Sequence, residues 1–269
     1  MSVKLVSPRR WAIKTLFLCS LSLSSSVFAN DADELGANQS KSNEQRNISN
    51  SVSNVVINGP LEYILKPASQ AELMVGGDSK LVNRVLTKVE GNTLYISTRG
   101  IFITTGKRYP VRIELSLPQF DKVQLQGSAD GSLRGFKQNK LELNLQGSGN
   151  VSLDGAINQL QLRQSGSGDI TMNLAPMEQL DLALRGSGDI TARGQVRSLQ
   201  ISNQGSGNLN LGQLKADYVY LQNSGQGDVK VMATQEIKGR LSGAGDLTVL
   251  GKPVKRNLEN QGAGEIYWD

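Results

Sequence analysis

Eight copies of a short glycine motif at nearly constant spacing constrain this chain more than any other feature of its sequence. The fullest copy is QSGSGDITMN, from Gln164 to Asn173. With the first glycine of each copy as a marker, the motif begins at Gly127, Gly147, Gly166, Gly186, Gly205, Gly225, Gly243 and Gly262, in steps of 18 to 20 residues. A fixed period of this length marks a structural repeat whose units must stack to bury their apolar faces.

Within each period lies a second one. Four residues before the marker stand Val123, Leu143, Leu162, Leu182, Ile201, Leu221, Gly239 and Leu258; four after it stand Gly131, Val151, Ile170, Ile190, Leu209, Val229, Leu247 and Ile266. Even offsets are apolar almost throughout and odd offsets polar, so each coil contributes strands with one face inward and one outward. The chain is therefore expected to be all-β, with residues 120–269 forming a parallel β-solenoid of about eight coils.

The paired glycines occupy even offsets, where an inward side chain would otherwise sit. The pairs Gly147 and Gly149, Gly166 and Gly168, Gly186 and Gly188, Gly205 and Gly207, Gly225 and Gly227, Gly243 and Gly245, and Gly262 and Gly264 are read as structural corners between strands. There a Cβ would find no interior volume, and a positive φ would be available if the turn needed it. Three residues after each marker comes Asp130, Asn150, Asp169, Asp189, Asn208, Asp228, Asp246 or Glu265, short acceptors suited to backbone N–H groups at a turn.

Stacked aspartates repel one another unless turn amides or a cation offset the charge. If the corner were a calcium site, Asp169, Asp189, Asp228 and Asp246 would carry it. The fit to calcium-binding nonapeptide repeats is poor, because the period is about twice nine residues and the double glycine is absent. A structural corner is the expectation, and no cofactor is called for. Two residues before the marker, Gln164, Asn203, Asn223 and Asn260 replace leucine. Asn203 and Asn223 would either form a coil-to-coil amide ladder or sit partly solvated.

Ahead of the array, residues 1–29 read as a signal peptide. Lys4, Arg9, Arg10 and Lys14 precede a short apolar run from Leu16 to Leu23, and Val27-Phe28-Ala29 places cleavage before Asn30. Removing this segment leaves 25 basic against 24 acidic side chains. The near-neutral remainder gives no argument for nucleic acid, despite a sequence pI of 9.3. The lone cysteine, Cys19, lies in the same segment, and there is no histidine. No later run is long and apolar enough to span a bilayer. Residues 30–47 are polar and aperiodic, as in a disordered leader. Residues 48–119 form an irregular β region of short apolar runs, including Ile101–Thr104, broken by turns such as Asn58-Gly59-Pro60; Asp78–Val89 is open between a short helical turn and a strand.

Without histidine or a mature cysteine the chain cannot build a Ser-His-Asp triad, a thiolate nucleophile or a histidine-rich zinc site. Arg163, Arg185, Arg193, Arg197 and Arg240 fall at different offsets, and the corner acids form a line rather than a flanking pair, so the charges read as solvated rather than catalytic. Tyr218, Tyr220, Tyr267 and Trp268 are the aromatics able to stack on a sugar or protein, although Trp268 is expected to plug the core of the final coil.

The run Val111–Leu117 with Pro118, the segment from Val123 to Asp130 and the recurring Gly-Ser-Gly-Asp-Ile copies resemble the GIN-type head domain family, described as putative autotransporter adhesins, over roughly residues 48–269. The resemblance implies a right-handed parallel β-helix-like solenoid in exported bacterial envelope proteins, periplasmic or at the cell surface. It brings no catalytic or binding residues with it. The expected function is non-enzymatic binding or adhesion, with a rigid solenoid face presented to an envelope glycan or protein. A carbohydrate-active β-helix enzyme and a calcium-stabilised structural module are the alternatives.

Overall fold

Alternating polarity with β-branched and leucine-rich inward positions favours strands over helices along nearly the whole chain. A computed structural model describes residues 41–100, 111–128 and 130–269, which fall within one compact unit, Gln39–Asp269. The expected signal peptide, the first part of the leader and the strand at 101–104 lie outside the described residues. Before the array come β1 (Lys41–Arg46), β2 (Asn54–Asn58), β3 (Glu62–Pro67), β4 (Glu72–Asp78), a four-residue helix α1 (Ser79–Val82), β5 (Val85–Glu90), β6 (Thr93–Thr98) and β7 (Val111–Leu117). The array comprises β8 (Lys122–Gly127), β9 (Gly131–Gly147), β10 (Val151–Gln164), β11 (Ile170–Leu174), β12 (Met177–Leu184), β13 (Ile190–Asn203), β14 (Leu209–Asn223), β15 (Val229–Leu241), β16 (Leu247–Leu250), β17 (Lys255–Asn260) and β18 (Ile266–Trp268).

These strands form a parallel β-solenoid of about seven turns, close to the eight expected. Each coil has one wall before the glycine corner and one after it. The wall before the corner stacks β8, the second halves of β9 and β10, β12, the second halves of β13 to β15, and β17. The wall after the corner stacks the first halves of the long strands with β11, β16 and β18. Between Leu153 and Gly155 the register against β9 changes by one residue, as it does between Thr191 and Arg193 against β14, and between Leu211 and Lys215 the register against β15 changes by three, one of which is recovered between Ala216 and Tyr218. The alternation of the step between 18 and 20 is thus absorbed at the return bends, while the glycine corners stay in line.

The stack does not begin at the first recognisable repeat. Strand β2 pairs in parallel with β8, and β3 with β9, so Gly59 lies over Gly127 as one more corner. Beyond them β6 and β7 continue the two walls in parallel, and antiparallel strands then close them: β5 against β6, and β4 followed by β1 against β7.

Strand β1 lies where the polar composition suggests a disordered leader. Its side chains bury little, but its backbone pairs with β4 from Lys41↔Asp78 to Arg46↔Leu73. Arg46 adds charge-assisted hydrogen bonds from Nη1 to the Val85 carbonyl (2.8 Å) and from Nη2 to the Val82 carbonyl (3.3 Å). Of the open segment 78–89, the start is helical, with Asp78 capping α1 by accepting from the Lys80 N–H at 2.9 Å, and the rest is β5.

One continuous core of leucine, isoleucine and valine runs through the coils, with Phe120 and Phe136 packed at 5.1 Å between ring centroids. Among the described residues no helix is long and apolar enough to cross a membrane.

Candidate functional site

The corner sets the geometry of everything beside it. A Cβ placed on Gly166, Gly186, Gly205, Gly225, Gly243 or Gly262 would stand closer than 3.0 Å to the carbonyl oxygen of the marker glycine one coil earlier. Gly147 meets the Gly127 carbonyl, and the second glycines Gly168, Gly188, Gly207, Gly227, Gly245 and Gly264 meet their counterparts in the same way, beginning with the carbonyl of Gly149 under Gly168. The obstruction therefore lies along the stacking direction, in the backbone of the neighbouring coil. Positive φ is not the reason: of the array markers, only Gly127 has it, at 133°.

Immediately after the corner, the acidic and amide column forms a hydrogen-bonded ladder. The Asp130 Oδ1 accepts from Asn150 N (2.7 Å), Asn150 Oδ1 from Asp169 N (2.9 Å), and Asp169 Oδ1 from Asp189 N (2.9 Å). Asp189 Oδ1 accepts from Asn208 N (2.7 Å), and Asn208, Asp228 and Asp246 continue the series to Glu265 N. Each side chain supplies the acceptor that the turning backbone fails to present, while its own carbonyl accepts from the coil before, as in Ile170 N to the Asp189 carbonyl at 2.9 Å. One oxygen each of Asp169, Asp189, Asp228 and Asp246 is thereby committed to a backbone N–H. Among the described residues no group of three or more histidine, cysteine or acidic side chains is placed to hold a metal ion.

Inside the corner, Asn203 and Asn223 are buried, which removes the partly solvated alternative. They make no coil-to-coil ladder either. Asn203 Oδ1 accepts from Gly205 N at 3.0 Å and Asn223 Oδ1 from Gly225 N at 3.2 Å, each stapling its own corner. Asn260 does the same and also donates to the Gly264 carbonyl at 2.7 Å, and Gln164 donates across its corner to the Gly168 carbonyl.

On the outer surface of the wall before the corner, odd positions gather into columns of amides, hydroxyls and a few charges. Across β13, β14, β15 and β17 this surface is hollowed into a groove of about 750 Å³. Gln200, Tyr220, Gln222, Lys238, Arg240 and Glu259 are its main polar lining. Lys238 Nζ lies 4.4 Å from the Tyr220 ring centroid, and Arg240 pairs with Glu259 at 2.9 Å. Among the described residues, Glu259 is the only carboxylate lining this groove. A second, shallower hollow of about 700 Å³ follows the corner itself, lined by serines of four coils with Arg185 and Gln204. At the other end of the wall Glu142 bridges Lys122 (3.0 Å) and Arg163 (3.5 Å). The Asn144 amide, donating at 2.9 Å, and those two cations hold the Glu142 carboxyl below the usual glutamate range.

Of the four aromatics singled out in the sequence, Tyr220 alone lines the groove. Tyr218 is half-buried on the same strand. Tyr267 is exposed and donates to Glu265 at 2.7 Å. Trp268 does not plug the core: it is 39% exposed, because no described coil stacks over it, and the Arg256 guanidinium covers its ring at 4.5 Å. Arg163 and Arg197 are in ion pairs, with Glu142 and Glu178. The groove was not legible as a site because its residues are spread over some sixty positions at unremarkable outward offsets. The signal that would have found it is the column five before the marker, where Tyr220 and Lys238 are successive members.

The family model described as putative auto-transporter adhesin, head GIN domain, matches residues 52–173 and 157–253. Among solved structures, a putative adhesin from Parabacteroides merdae is similar at 18% identity, covering 85% of this chain and 97% of that one, with a TM-score of 0.72. A putative lipid binding protein from Parabacteroides distasonis is similar at 22% identity, covering 85% and 97%, with a TM-score of 0.68. A putative adhesin from Bacteroides fragilis is similar at 18% identity, covering 86% and 98%, with a TM-score of 0.62. At these identities the likeness establishes the fold. No curated protein matches the chain.

Proposed function

Since this chain belongs to the putative auto-transporter adhesin, head GIN domain family, we propose that it is an exported, non-enzymatic binding protein of the cell envelope that engages a glycan along the outer wall before the glycine corner. The observation that carries this reading is the groove across β13 to β17, where amides, hydroxyls and one half-buried tyrosine stand on a rigid sheet. Planar amides and hydroxyls match the donor and acceptor pattern of sugar hydroxyls, and an aromatic ring matches the apolar face of a sugar.

Binding is favoured over catalysis because glycoside chemistry uses two carboxylates flanking the scissile bond. In this groove Glu259 stands alone and is tied to Arg240. A lipid ligand, which the name of one similar structure suggests, fits less well. The interior is filled by buried leucines, and the cavity beside Gln164 has a volume of about 20 Å³, room for one water rather than an acyl chain. The corner acids serve the fold in this reading, and export follows from the signal sequence read at residues 1–29.

The test is a glycan array probed with the mature protein, beginning at Asn30, and with Tyr220→Ala/Gln222→Ala. Both positions face outward, so the double variant keeps its thermal midpoint while its glycan signals fall to background. Undiminished signals from a folded double variant would move the site elsewhere.

A further inference from the structure

The charges around the groove are unevenly matched. On the outer wall before the corner, Lys122 and Arg163 share the single carboxylate of Glu142, so each has an acidic partner although one positive charge is left over there, and Arg240 is satisfied by Glu259. Asp181 accepts from Gln179 at 3.0 Å. Among the described residues, Arg185 and Lys238 have no carboxylate within ion-pair distance. Lys238 is held instead against the face of Tyr220, which fixes the ammonium without cancelling its charge. Arg185 stands among neutral hydrogen-bonding groups, with Ser165, Ser167, Ser187, Ser206 and Gln204 lining the same hollow.

Gln204 lines both hollows, so the two cations face one continuous strip. Arg185 belongs to the coil of Gly186 and Lys238 to that of Gly243. Three coil steps at roughly 4.8 Å each put them about 14 Å apart along the stack. No single small anion reaches both. The opposite flank of the corner carries the carboxylates of Asp169, Asp189, Asp228, Asp246 and Glu265. That flank carries a stacked column of acids, whereas on the strip's side Asp181 and Glu236 stand singly and Glu259 is paired with Arg240, so the strip is the less repulsive side of the corner for an anionic chain.

We infer that the strip selects an extended anionic polysaccharide, with repeated carboxylate or sulfate groups engaging Arg185 and Lys238 while sugar hydroxyls meet the amides and serines between them. This rests on the glycan-binding reading given above and adds the charge class of the ligand. The planar guanidinium of Arg185 can take such a group through two parallel N–H donors, whereas the ammonium of Lys238 acts as a point charge.

Two matched pairs of polymers test the inference: polygalacturonate against its methyl ester, and dextran sulfate against dextran. Each pair differs in charge at constant sugar backbone, and the two pairs separate carboxylate from sulfate. Binding is measured with the mature protein, with Arg185→Gln/Lys238→Gln, and with Tyr220→Ala/Gln222→Ala. The expected result is binding to the charged member of at least one pair, about tenfold or more tighter than to the neutral member, weakening with added salt. The Arg185→Gln/Lys238→Gln variant loses that preference with its thermal midpoint unchanged. Equal binding of charged and neutral members that Tyr220→Ala/Gln222→Ala abolishes would overturn the charge selection and leave glycan binding standing. Charged binding that survives loss of both cations would also overturn it, as would no binding to any of the four polymers.

Discussion

A glycine whose missing side chain makes room for a neighbouring backbone is intolerant in a particular way. At Gly186 an added methyl group meets the Gly166 carbonyl, a backbone atom that cannot rotate aside, so Gly186→Ala must separate two coils or distort the corner. We expect it to lower unfolding free energy by about 3 kcal/mol, the upper range for overpacking, measured by urea denaturation. A change below a few tenths of a kcal/mol would mean that the coils do not stack through these carbonyls. The Asx ladder makes a chemically different prediction. Asp189 accepts from both Asn208 N and Asn208 Nδ2 (2.7 and 3.2 Å), so Asp189→Ala should cost about 1 kcal/mol, while Asp189→Asn, which keeps the acceptor, should be nearly neutral. Calcium in excess, compared with a chelator, should leave the thermal midpoint unchanged; a large calcium-dependent rise would make Asp169, Asp189, Asp228 and Asp246 ion sites. The sequence pointed to the corner and to its short acceptors, but not to the direction of the steric conflict. Offset parity alone puts a glycine Cβ into the interior, whereas the stacked backbones put it against the next coil.

Among the elements, the walls are stabilised by inward leucines and by a thin layer of outward pairs. Glu142 links three coils through Lys122, Asn144 and Arg163. Its carboxyl titrates below the usual range in the folded state, so its contribution is present above the unfolded pKa and is lost as pH falls through the lowered folded value. Glu142→Gln should therefore reduce midpoint stability at neutral pH and flatten its acid limb, read by thermal melts from pH 7 down to pH 3. Parallel curves for the two proteins would remove Glu142 from the account. The strands of the array were legible because periods of two and about nineteen coincide there. The first corner was hidden, since Gly59 is followed by Pro60 rather than by a second glycine two residues on, and its coil stacks on one that starts 68 residues later. Strand β1 was hidden for another reason. Its stability comes from backbone pairing and Arg46, neither of which leaves an apolar pattern.

The whole described unit is a stack with two unlike flanks at one corner, a carboxylate ladder on one side and an amide-rich strip on the other. The fold class and repeat were readable from spacing, because a period fixes how coils stack. The candidate site was not, because a strip crossing several coils is assembled from residues that are distant in sequence and individually ordinary. Trp268 shows the same limit, since its parity marks it as inward but its burial depends on a neighbour that parity cannot supply. The most direct test of the central claim is hydrogen–deuterium exchange of residues 30–269 with and without a polymer or array glycan that binds them. The account predicts added protection confined to the outer wall before the corner, over the second halves of β13 to β15 and β17 beneath the groove and, for a charged polymer, the corner bend around Arg185 as well. Protection that instead followed the carboxylate ladder, or the antiparallel strands β1, β4 and β5, would contradict it.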